Sequence, residues 1–337
     1  MSEFAFIERI RARVAQSAFK PTDLLLGIGD DAAVLREQSG RELLVTTDLL
    51  VEDVDFKLEY IPPAWLGHKA LAVSLSDIAA MGGVPRFSLL TLALPLRARS
   101  AERGAPSEEF WNAFLDGYCA LAEAHQVTLI GGDISGMPER LAIDSMVLGQ
   151  CESGKSLRRS GARVGDAIFV TGELGASAAG LQLLLNGERV NETANDWRQQ
   201  ALRAHLRPEP RVAFGQALGQ SGLAHAMLDV SDGLAQDLAH ICVASHVSAR
   251  LLAEAIPIAE GASLKLALTG GEDFELLFTA NPANETALQQ LADTCHLRLT
   301  CIGKVIAFHP DSLLWLDEQA YQPAGFDHFA RSADFSP

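Results

Sequence analysis

The sequence lacks the features that mark secreted, membrane-spanning and zinc-binding proteins. Its five cysteines are scattered, odd in number and form no C-x-x-C pair, which predicts free thiols in a reducing cytoplasm. No apolar run approaches the roughly 20 residues of a membrane-spanning helix, and the charged start MSEFAFIERIRARV is typical of an amphipathic helix, not of a secretory signal. The nine histidines show no H-E-x-x-H spacing, so no zinc site is expected.

Positive charge is also in short supply. The chain has 27 Lys and Arg against 43 Asp and Glu, which gives a formal net charge of −16 at pH 7. Such a balance argues against nucleic acid or an anionic membrane surface as the main partner. Small anionic ligands stay compatible with it, provided that metal ions lie between them and the protein.

The chain does contain a mixed α/β pattern in two halves. Strand-like runs are predicted at 24–27, 42–47, 86–94, 127–130, 140–148, 167–171, 226–229, 274–279 and 298–306. Helices are predicted at about 3–17, 64–81, 107–125, 175–186, 196–205, 211–219, 232–245 and 283–293. A chain of 337 residues with 48% hydrophobic content is long enough for two domains. The Gly-, Ser- and Arg-containing segment 150–165 is the expected boundary, which gives domains of 1–150 and 151–337.

Residues 149–156, GQCESGKS, match the phosphate-binding pattern G-x-x-x-x-G-K-[ST] at every required position. A working loop of this kind leaves a strand and opens directly into a helix whose N-terminus faces the phosphates. The preceding run LAIDSMVLG suits a strand, but two glycines in the following LRRSGARVGD interrupt any helical period. We therefore interpret the match as accidental and Lys155 as a solvated loop cation, with a true phosphate loop as the alternative.

Acidic side chains concentrate at the ends of predicted strands. Those at strand ends are Asp30, Asp31, Asp48, Asp53, Asp55, Asp133, Asp229 and Asp232, and Asp77 lies in a helical run. Two carboxylates ~5 Å apart at an effective dielectric of ~20 repel by about 3 kcal/mol, so several pack together only with cations between them. Oxygen-only clusters favour hard cations, and Mg²⁺ commonly lies between carboxylates and a substrate phosphate. The pattern therefore predicts a magnesium-dependent phosphate site.

Each of these groups also has a simpler interpretation. Gly27, Gly29 and Ala32 fit the dinucleotide fingerprint G-x-G-x-x-A, but two aspartates would then face a pyrophosphate without compensation. Turn, helix-cap, linker or solvated-surface roles are open for Asp30–Asp31, Thr46–Asp48, Asp77, Asp133, Arg158–Arg159, Ser231–Asp232 and Glu272–Asp273. Each of these roles could explain one position, but none explains why acidic residues recur at the ends of so many predicted strands.

Eight motifs in order carry a family resemblance. They are GIGDDAAV, TTDLLVEDVDF, KALAVSLSDIAAMGG, LIGGD, RRSGARVGD, DVSDGL, TGGEDFEL and GFDHF. From the first helix to about residue 330 the set resembles the thiamine-monophosphate kinase family. The resemblance implies the two-domain α/β architecture of aminoimidazole ribonucleotide (AIR) synthetase, with an N-terminal domain that forms a homodimer interface. It also implies transfer of the ATP γ-phosphate to thiamine monophosphate, the last step of thiamine diphosphate biosynthesis.

The resemblance also assigns expected roles to individual residues. The implied ligands of several Mg²⁺ ions are Asp31, Thr46, Thr47, Asp48, Asp77, Asp133, Asp229 and Asp232. ATP contacts are implied for Gly132, Asp133, Arg159 and Ser231, substrate contacts for Asp55, Glu272 and Phe326, and catalytic roles for Asp232 and Arg159. One departure concerns Asp55, which precedes Phe56 where the family usually has His. An acid there predicts a weaker contact with the substrate phosphate or an additional cation.

The expected reaction needs no protein base. A phosphate monoester has a second pKa of ~6, so its attacking oxygen is already largely ionised near neutrality. Two other enzymes of the same fold group, selenophosphate synthetase and a hydrogenase maturation protein, are alternatives. The first hundred residues contain no cysteine and the chain ends ADFSP, which disfavours both. A non-catalytic acidic protein that binds divalent cations or nucleotide is the alternative from another class.

Overall fold

The computed structural model describes residue 7 and residues 11–12, 22–37, 40–96 and 106–326. The predicted first helix at 3–17 and the last residues of the GFDHF motif therefore lie almost wholly outside the described residues. No helix within these described ranges is both long and apolar enough to cross a membrane.

The first half of the chain forms a six-stranded mixed sheet. Its strands are β1 (Leu24–Leu26), β2 (Ala33–Arg36), β3 (Arg41–Val51), β4 (Val84–Pro95), β5 (Thr128–Met137) and β6 (Ala142–Glu152). They lie in the order β1-β2-β3-β6-β4-β5, and only the β4–β5 pair is parallel. Two helices, α1 (Pro63–Ala80) and α2 (Glu108–Ala124), pack against each other, and α1 also packs on β3 and β6.

The second half forms a seven-stranded mixed sheet. Its strands are β7 (Ala167–Thr171), β8 (Ala224–Asp229), β9 (Val247–Leu251), β10 (Leu276–Ala280), β11 (Leu299–Ala307), β12 (Leu314–Leu316) and β13 (Gln319–Tyr321). The order is β13-β12-β9-β11-β7-β10-β8, with only β12–β9 parallel. The helices are α3 (Ala176–Leu185), α4 (Trp197–Leu206), α5 (Val212–Ser221), α6 (Leu234–Ser245), α7 (Leu264–Thr269) and α8 (Glu285–Thr294). The expected α/β class with mixed sheets is confirmed.

Helix α1 is the element that joins the halves. From Trp65 to Ala80 every residue except Asp77 is buried, which is the pattern of a helix covered on all sides. Its neighbours beyond the first half are α4, α5 and β8 of the second. Charged residues on such a helix must find partners inside the protein, and Lys69 and Asp77 do so at the site described below.

Candidate active site

Three carboxylates from three different elements meet where the halves join. Asp31 precedes β2, Asp77 lies in the last turn of α1, and Asp229 ends β8. One oxygen of each lies within 4.8 Å of the other two. We call this group the carboxylate cluster. The fold thus brings together three aspartates that are far apart in sequence, and the sequence had indicated all three as candidate metal ligands.

Neighbouring donors hold each member of the carboxylate cluster. The Arg159 guanidinium donates from Nε to Asp31 Oδ1 over 2.9 Å and also contacts that oxygen through Nη2. Thr46 Oγ1 donates to Asp77, and Ser76 Oγ donates to Asp229 Oδ2 over 2.5 Å. Ser76 was not predicted as a site residue, although it lies next to Asp77 on α1.

The carboxylate cluster carries more negative charge than its protein surroundings offset. Burial raises the pKa of Asp77 well above its usual value, and the Asp48 and Asp229 carboxylates add to the rise. Burial, then Asp31, raises the pKa of Asp229 to about 7. Arg159 is the one cation paired directly with the cluster among the described residues. The oxygens Asp31 Oδ2 and Asp48 Oδ2 are buried with no hydrogen-bond partner there.

Strand β3 divides its predicted ligands between two faces. Thr46 is buried on the same face as Asp48, whereas Thr47 is exposed on the other face. Thr47 Oγ1 donates to Asp144 Oδ1 over 2.5 Å, and sequence analysis had not singled out Asp144. The register also aligns Asp144 with Thr91 and Thr91 with Asp133.

Asp133 therefore shares the outer face of the sheet with Asp144, because directly paired residues project to one face. Asp133 and the preceding Gly132 are exposed on β5, the edge strand. Asp133 Oδ1 accepts the N–H of Ile134 over 2.9 Å. The side chains predicted to bind Mg²⁺ thus form an inner set around the carboxylate cluster and an outer set that contains Thr47 and Asp133.

A second acidic group follows β8. Asp232, Asp237 and His240 each place one ligand atom within 4.8 Å of the others. Asp237 accepts the N–H groups of Asp232 at 3.1 Å and Gly233 at 3.0 Å, which orders the start of α6. Burial, then Asp232 and Asp229, raises the pKa of Asp237 well above its usual value. Asp237 and His240 were not predicted, although their i, i+3 spacing on α6 places them on one face.

Glu272 belongs to a network of opposite charges, which we call the Lys69 network. Fully buried Lys69 places Nζ 2.7 Å from Glu272 Oε1 and donates to the carbonyl oxygens of His205 at 3.2 Å and Asp55 at 3.4 Å. His205 Nδ1 lies 3.1 Å from Glu272 Oε2. Burial acts to raise the pKa of Glu272, but Lys69 and then His205 lower it to about 2. Glu272 therefore stays ionised without added cations.

Asp55 contributes its backbone to this network, while its carboxylate faces its own loop. Asp55 Oδ2 accepts the N–H of Val51 over 2.7 Å. That contact closes the turn after β3 and resembles the local side-chain bonding typical of aspartate in turns. The backbone carbonyl of Asp55 thus contacts Lys69, which also pairs with Glu272, and the substrate contact expected of the Asp55 side chain stays a prediction.

The remaining predicted residues meet through backbone contacts. The Glu272 N–H donates to Ser231 O at 2.7 Å, and the Phe326 N–H donates to Asp232 O at 3.0 Å. Glu272 has a positive φ of 63°, a conformation that costs energy for a non-glycine residue. Next to it, a Cβ on Gly271 would lie 2.3 Å from Ser231 O, so only glycine permits this approach.

The GQCESGKS turn is not built as a phosphate loop. No helix begins between residues 157 and 166, all of which the structure describes. The N–H groups of Ser153, Gly154 and Lys155 already donate to Gly40 O at 3.1 Å, Glu42 Oε1 at 2.8 Å and Glu152 O at 3.0 Å. A buried carboxylate thus occupies the place a phosphate would need. The G-x-G-x-x-A match leads into strand β2 and not into a helix, which removes the dinucleotide interpretation.

Comparison with known proteins covers both halves. Residues 29–151 match the family described as AIR synthase related protein, N-terminal domain, and residues 163–314 match AIR synthase related protein, C-terminal domain. Together with the two sheets, these matches confirm the expected architecture. Thiamine-monophosphate kinase of Bacillus subtilis is 37% identical over 338 residues, which cover 98% of this chain and 100% of that protein.

Solved structures agree over the same length. Thiamine-monophosphate kinase from Stenotrophomonas maltophilia is 39% identical with a TM-score of 0.75, and covers 95% of this chain and 98% of the other. A structure of AaThiL complexed with AMPPCP and TMP is 31% identical with a TM-score of 0.80, and covers 97% of each chain. The similarity in sequence and in fold therefore extends over nearly the whole chain.

Proposed function

Because the chain belongs to the thiamine-monophosphate kinase family, we propose that it transfers the γ-phosphoryl group of ATP to the phosphate of thiamine monophosphate. The products are thiamine diphosphate and ADP. The observation that carries the proposal is the carboxylate cluster, in which Asp31 and Asp77 of the first half meet Asp229 of the second. Phosphoryl transfer depends mainly on positioning and on charge neutralisation, and bound cations would let these carboxylates stay ionised beside the phosphates.

The donor set fits Mg²⁺. All its members offer oxygen, which hard cations prefer, and two buried carboxylate oxygens have no partner among the described residues. The proposed ligands are Asp31, Thr46, Thr47, Asp48, Asp77, Asp133, Asp229 and Asp232. Bound Mg²⁺ supplies Lewis-acid stabilisation to the phosphate oxygens. Asp237 Oδ2 accepts the backbone N–H of Asp232, and this hydrogen bond helps to orient Asp232 as a proposed metal ligand.

The chain's own residues hold and align the two substrates. We assign Gly132, Asp133, Arg159 and Ser231 to ATP, and Asp55, Glu272 and Phe326 to thiamine monophosphate. Glu272 is ionised, so its negative charge would attract the thiazolium cation. Phe326 is 48% exposed, so its ring offers an aromatic surface to the same ligand. Arg159 keeps a positive charge beside the cluster. We therefore propose Arg159 and Asp232 as the catalytic residues, which act at the reacting phosphates.

No residue has to remove a proton from the acceptor. The attacking phosphate oxygen is already largely ionised at neutral pH. The histidine nearest Glu272, His205, is buried and its pKa is lowered by burial and then by Lys69, so it stays neutral. Its ring supports Glu272 in place and does not act as a base. The in-line approach of two anionic phosphates is the barrier that the site addresses.

We further propose two domains, 1–150 and 151–337, and a homodimer through the first. Strand β6 ends at Glu152 and β7 begins at Ala167, so the connection between sheets falls at this junction. The edge strand β5 exposes Ile130 and Ile134 by 56% and 69%. An exposed, apolar strand edge marks a candidate surface for contact with another chain. Sedimentation of wild type and Ile134→Asp tests this, because the variant should shift toward monomer.

The activity itself has a direct test. The chain is incubated with ATP, Mg²⁺ and thiamine monophosphate, and mass spectrometry detects thiamine diphosphate and ADP. Excess EDTA should stop the reaction, because the carboxylate cluster then lacks cations. Binding of ATP without formation of either product would favour the non-catalytic alternative. The five cysteines, all free in the structure, accord with the cytoplasmic location that we propose.

A further inference from the structure

A cationic cavity lies apart from the carboxylate cluster. It has a volume of about 240 Å³ and opens between the first sheet and helix α5. We call it the anion pocket. Its polar lining includes Arg41, Arg86, Lys155, Gln150, Gln216 and Gln220.

Both halves of the chain build the anion pocket. Arg41 begins β3, Arg86 lies on β4 at a register shift, and Lys155 follows β6 in the GQCESGKS turn. Gln216 and Gln220 are spaced i, i+4 and so share one face of α5. Beside them a Cβ on Gly219 would lie 2.7 Å from Gly82 O, so the two halves touch backbone to backbone at the cavity wall.

The three cations of the anion pocket are exposed to solvent. Neither Arg41, Arg86 nor Lys155 forms an ion pair with a residue that the structure describes. By contrast, buried Lys69 and the half-buried Arg159 and Arg211 all pair with carboxylates. Three like charges that line one cavity repel each other unless an anion lies between them.

Two local features limit alternative explanations. The Lys155 Nζ lies close to Gly222, at the C-terminal end of α5, where the helix dipole favours a cation. This accounts for Lys155 but not for Arg41 or Arg86, which come from strands. Among the residues that the structure describes, the acidic one that lines the cavity is Glu152, which is opposite Arg41 in the β3–β6 register. Glu152 therefore offsets one of three charges.

We propose that the anion pocket binds a small phosphate-class anion, inorganic phosphate or pyrophosphate, without Mg²⁺. Guanidinium groups match tetrahedral oxyanions with paired hydrogen bonds, and the glutamine amides add neutral donors. The volume is below the ~300–1,000 Å³ of pockets that enclose larger ligands, so one or two phosphate groups fit better than a nucleotide. The bound anion contacts both halves and stabilises their packing. This site is independent of the proposed kinase reaction.

The test is calorimetric titration of the full chain with inorganic phosphate and, separately, pyrophosphate, in EDTA. EDTA keeps the carboxylate cluster free of divalent ions, so phosphate binding there is suppressed. Arg86→Ala and Lys155→Ala should each weaken the better ligand about tenfold, the scale of one charge-assisted hydrogen bond. Glu152→Gln should tighten it several-fold, because it removes the acidic residue from the lining. Lys304→Ala, an exposed lysine on β11, is the matched control and should change nothing.

The outcomes separate clearly. Binding that needs Mg²⁺ and disappears in Asp77→Asn would locate phosphate at the carboxylate cluster and overturn the anion pocket. No binding of either anion at about 10 mM, or equal affinity in wild type, Arg86→Ala and Glu152→Gln, would overturn it as well. Thermal unfolding of each variant without ligand checks that the fold is intact. Kinase activity plays no part in this readout, so loss of the proposed function leaves the test valid.

Discussion

Two clusters of ionisable side chains lie at the junction of the halves, and they differ in whether their charges repel or attract each other. The carboxylate cluster gathers like charges, and burial with mutual repulsion raises the pKa of Asp77 and Asp229. The Lys69 network gathers unlike charges, and Lys69 with His205 lowers the pKa of Glu272 to about 2. One cluster needs external cations to stay ionised, whereas the other is complete within the chain.

The difference indicates which part of the site is permanent and which is assembled on binding. Glu272 is ionised and fixed by two partners before any ligand arrives, which suits recognition of a cationic ring. If the proposed Mg²⁺ site is correct, the carboxylates become fully ionised when divalent ions bind, because burial and their neighbours raise their pKa values. Metal affinity and proton release are therefore coupled at the first cluster and not at the second.

The largest effect is expected from removing a carboxylate. Asp77→Asn and Asp232→Asn should each lower turnover by at least about 100-fold, the scale of losing a group that stabilises transition-state charge. Asp77→Asn should also raise the thermal stability of the metal-free protein, because it removes a carboxylate that burial and then the neighbouring Asp48 and Asp229 make unfavourable. Steady-state kinetics and unfolding in EDTA measure the two effects. If Asp77→Asn or Asp232→Asn kept wild-type turnover, or if Asp77→Asn were less stable than wild type in EDTA, the carboxylate cluster would not be a metal site that is unfavourable without its ions.

Breaking the Lys69 network should cost stability instead. Lys69→Met leaves Glu272 without its main partner, and removing one member of a buried ion pair costs about 3–5 kcal/mol. The lower end is expected, because the Glu272 side chain is still 29% exposed. The double variant Lys69→Met, Glu272→Gln should recover most of the loss, and Lys304→Met is the surface control. Urea unfolding measures all four proteins, and failure of the double variant to recover would refute the pairing.

The pH dependence of the Mg²⁺ effect should be smaller but has a definite sign. Burial raises the pKa of Asp48 to about 6, and burial with Asp31 raises that of Asp229 to about 7. Between pH ~4 and ~7 the folded chain therefore holds protons that the unfolded chain has lost, so metal-free stability falls as pH rises through this window.

Buried neutral histidines act in the opposite direction between pH ~4 and ~6.5, since burial lowers the pKa of His68, His205 and His240. The quantity to measure is therefore the stabilisation by Mg²⁺, as the difference in melting temperature with and without the ion. It should grow from pH 5 to 7.5, and wild type should show a steeper rise than Asp229→Asn. If stabilisation by Mg²⁺ did not change with pH, these carboxylates would not be the groups that bind the ion.

The sequence predicts most of the helices and long strands because their apolar periods are strong. It missed the short helix α7 and the strands β2, β9, β12 and β13, and it placed β5 at 127–130 although that strand runs from Thr128 to Met137. Strand β9 was missed because it follows α6 with only His246, at φ 54°, as the turn, and no glycine or proline marks the break. Thr46 and Thr47 were grouped as ligands, although strand alternation separates their side chains. The Lys69 network was missed as well, because nothing local signals that a helical lysine will meet residues some 140 and 200 positions away.

The smallest effect on turnover is expected at the phosphate-loop match. Lys155→Ala should leave turnover within a few-fold of wild type, because the amides of this turn are occupied and the residue lies at the anion pocket, apart from the carboxylate cluster. The measurement is steady-state kinetics with ATP and thiamine monophosphate varied in turn. An inactive Lys155→Ala alongside an active Asp77→Asn would move the phosphate site from the carboxylates to the turn, and only that pair of results reverses the assignment.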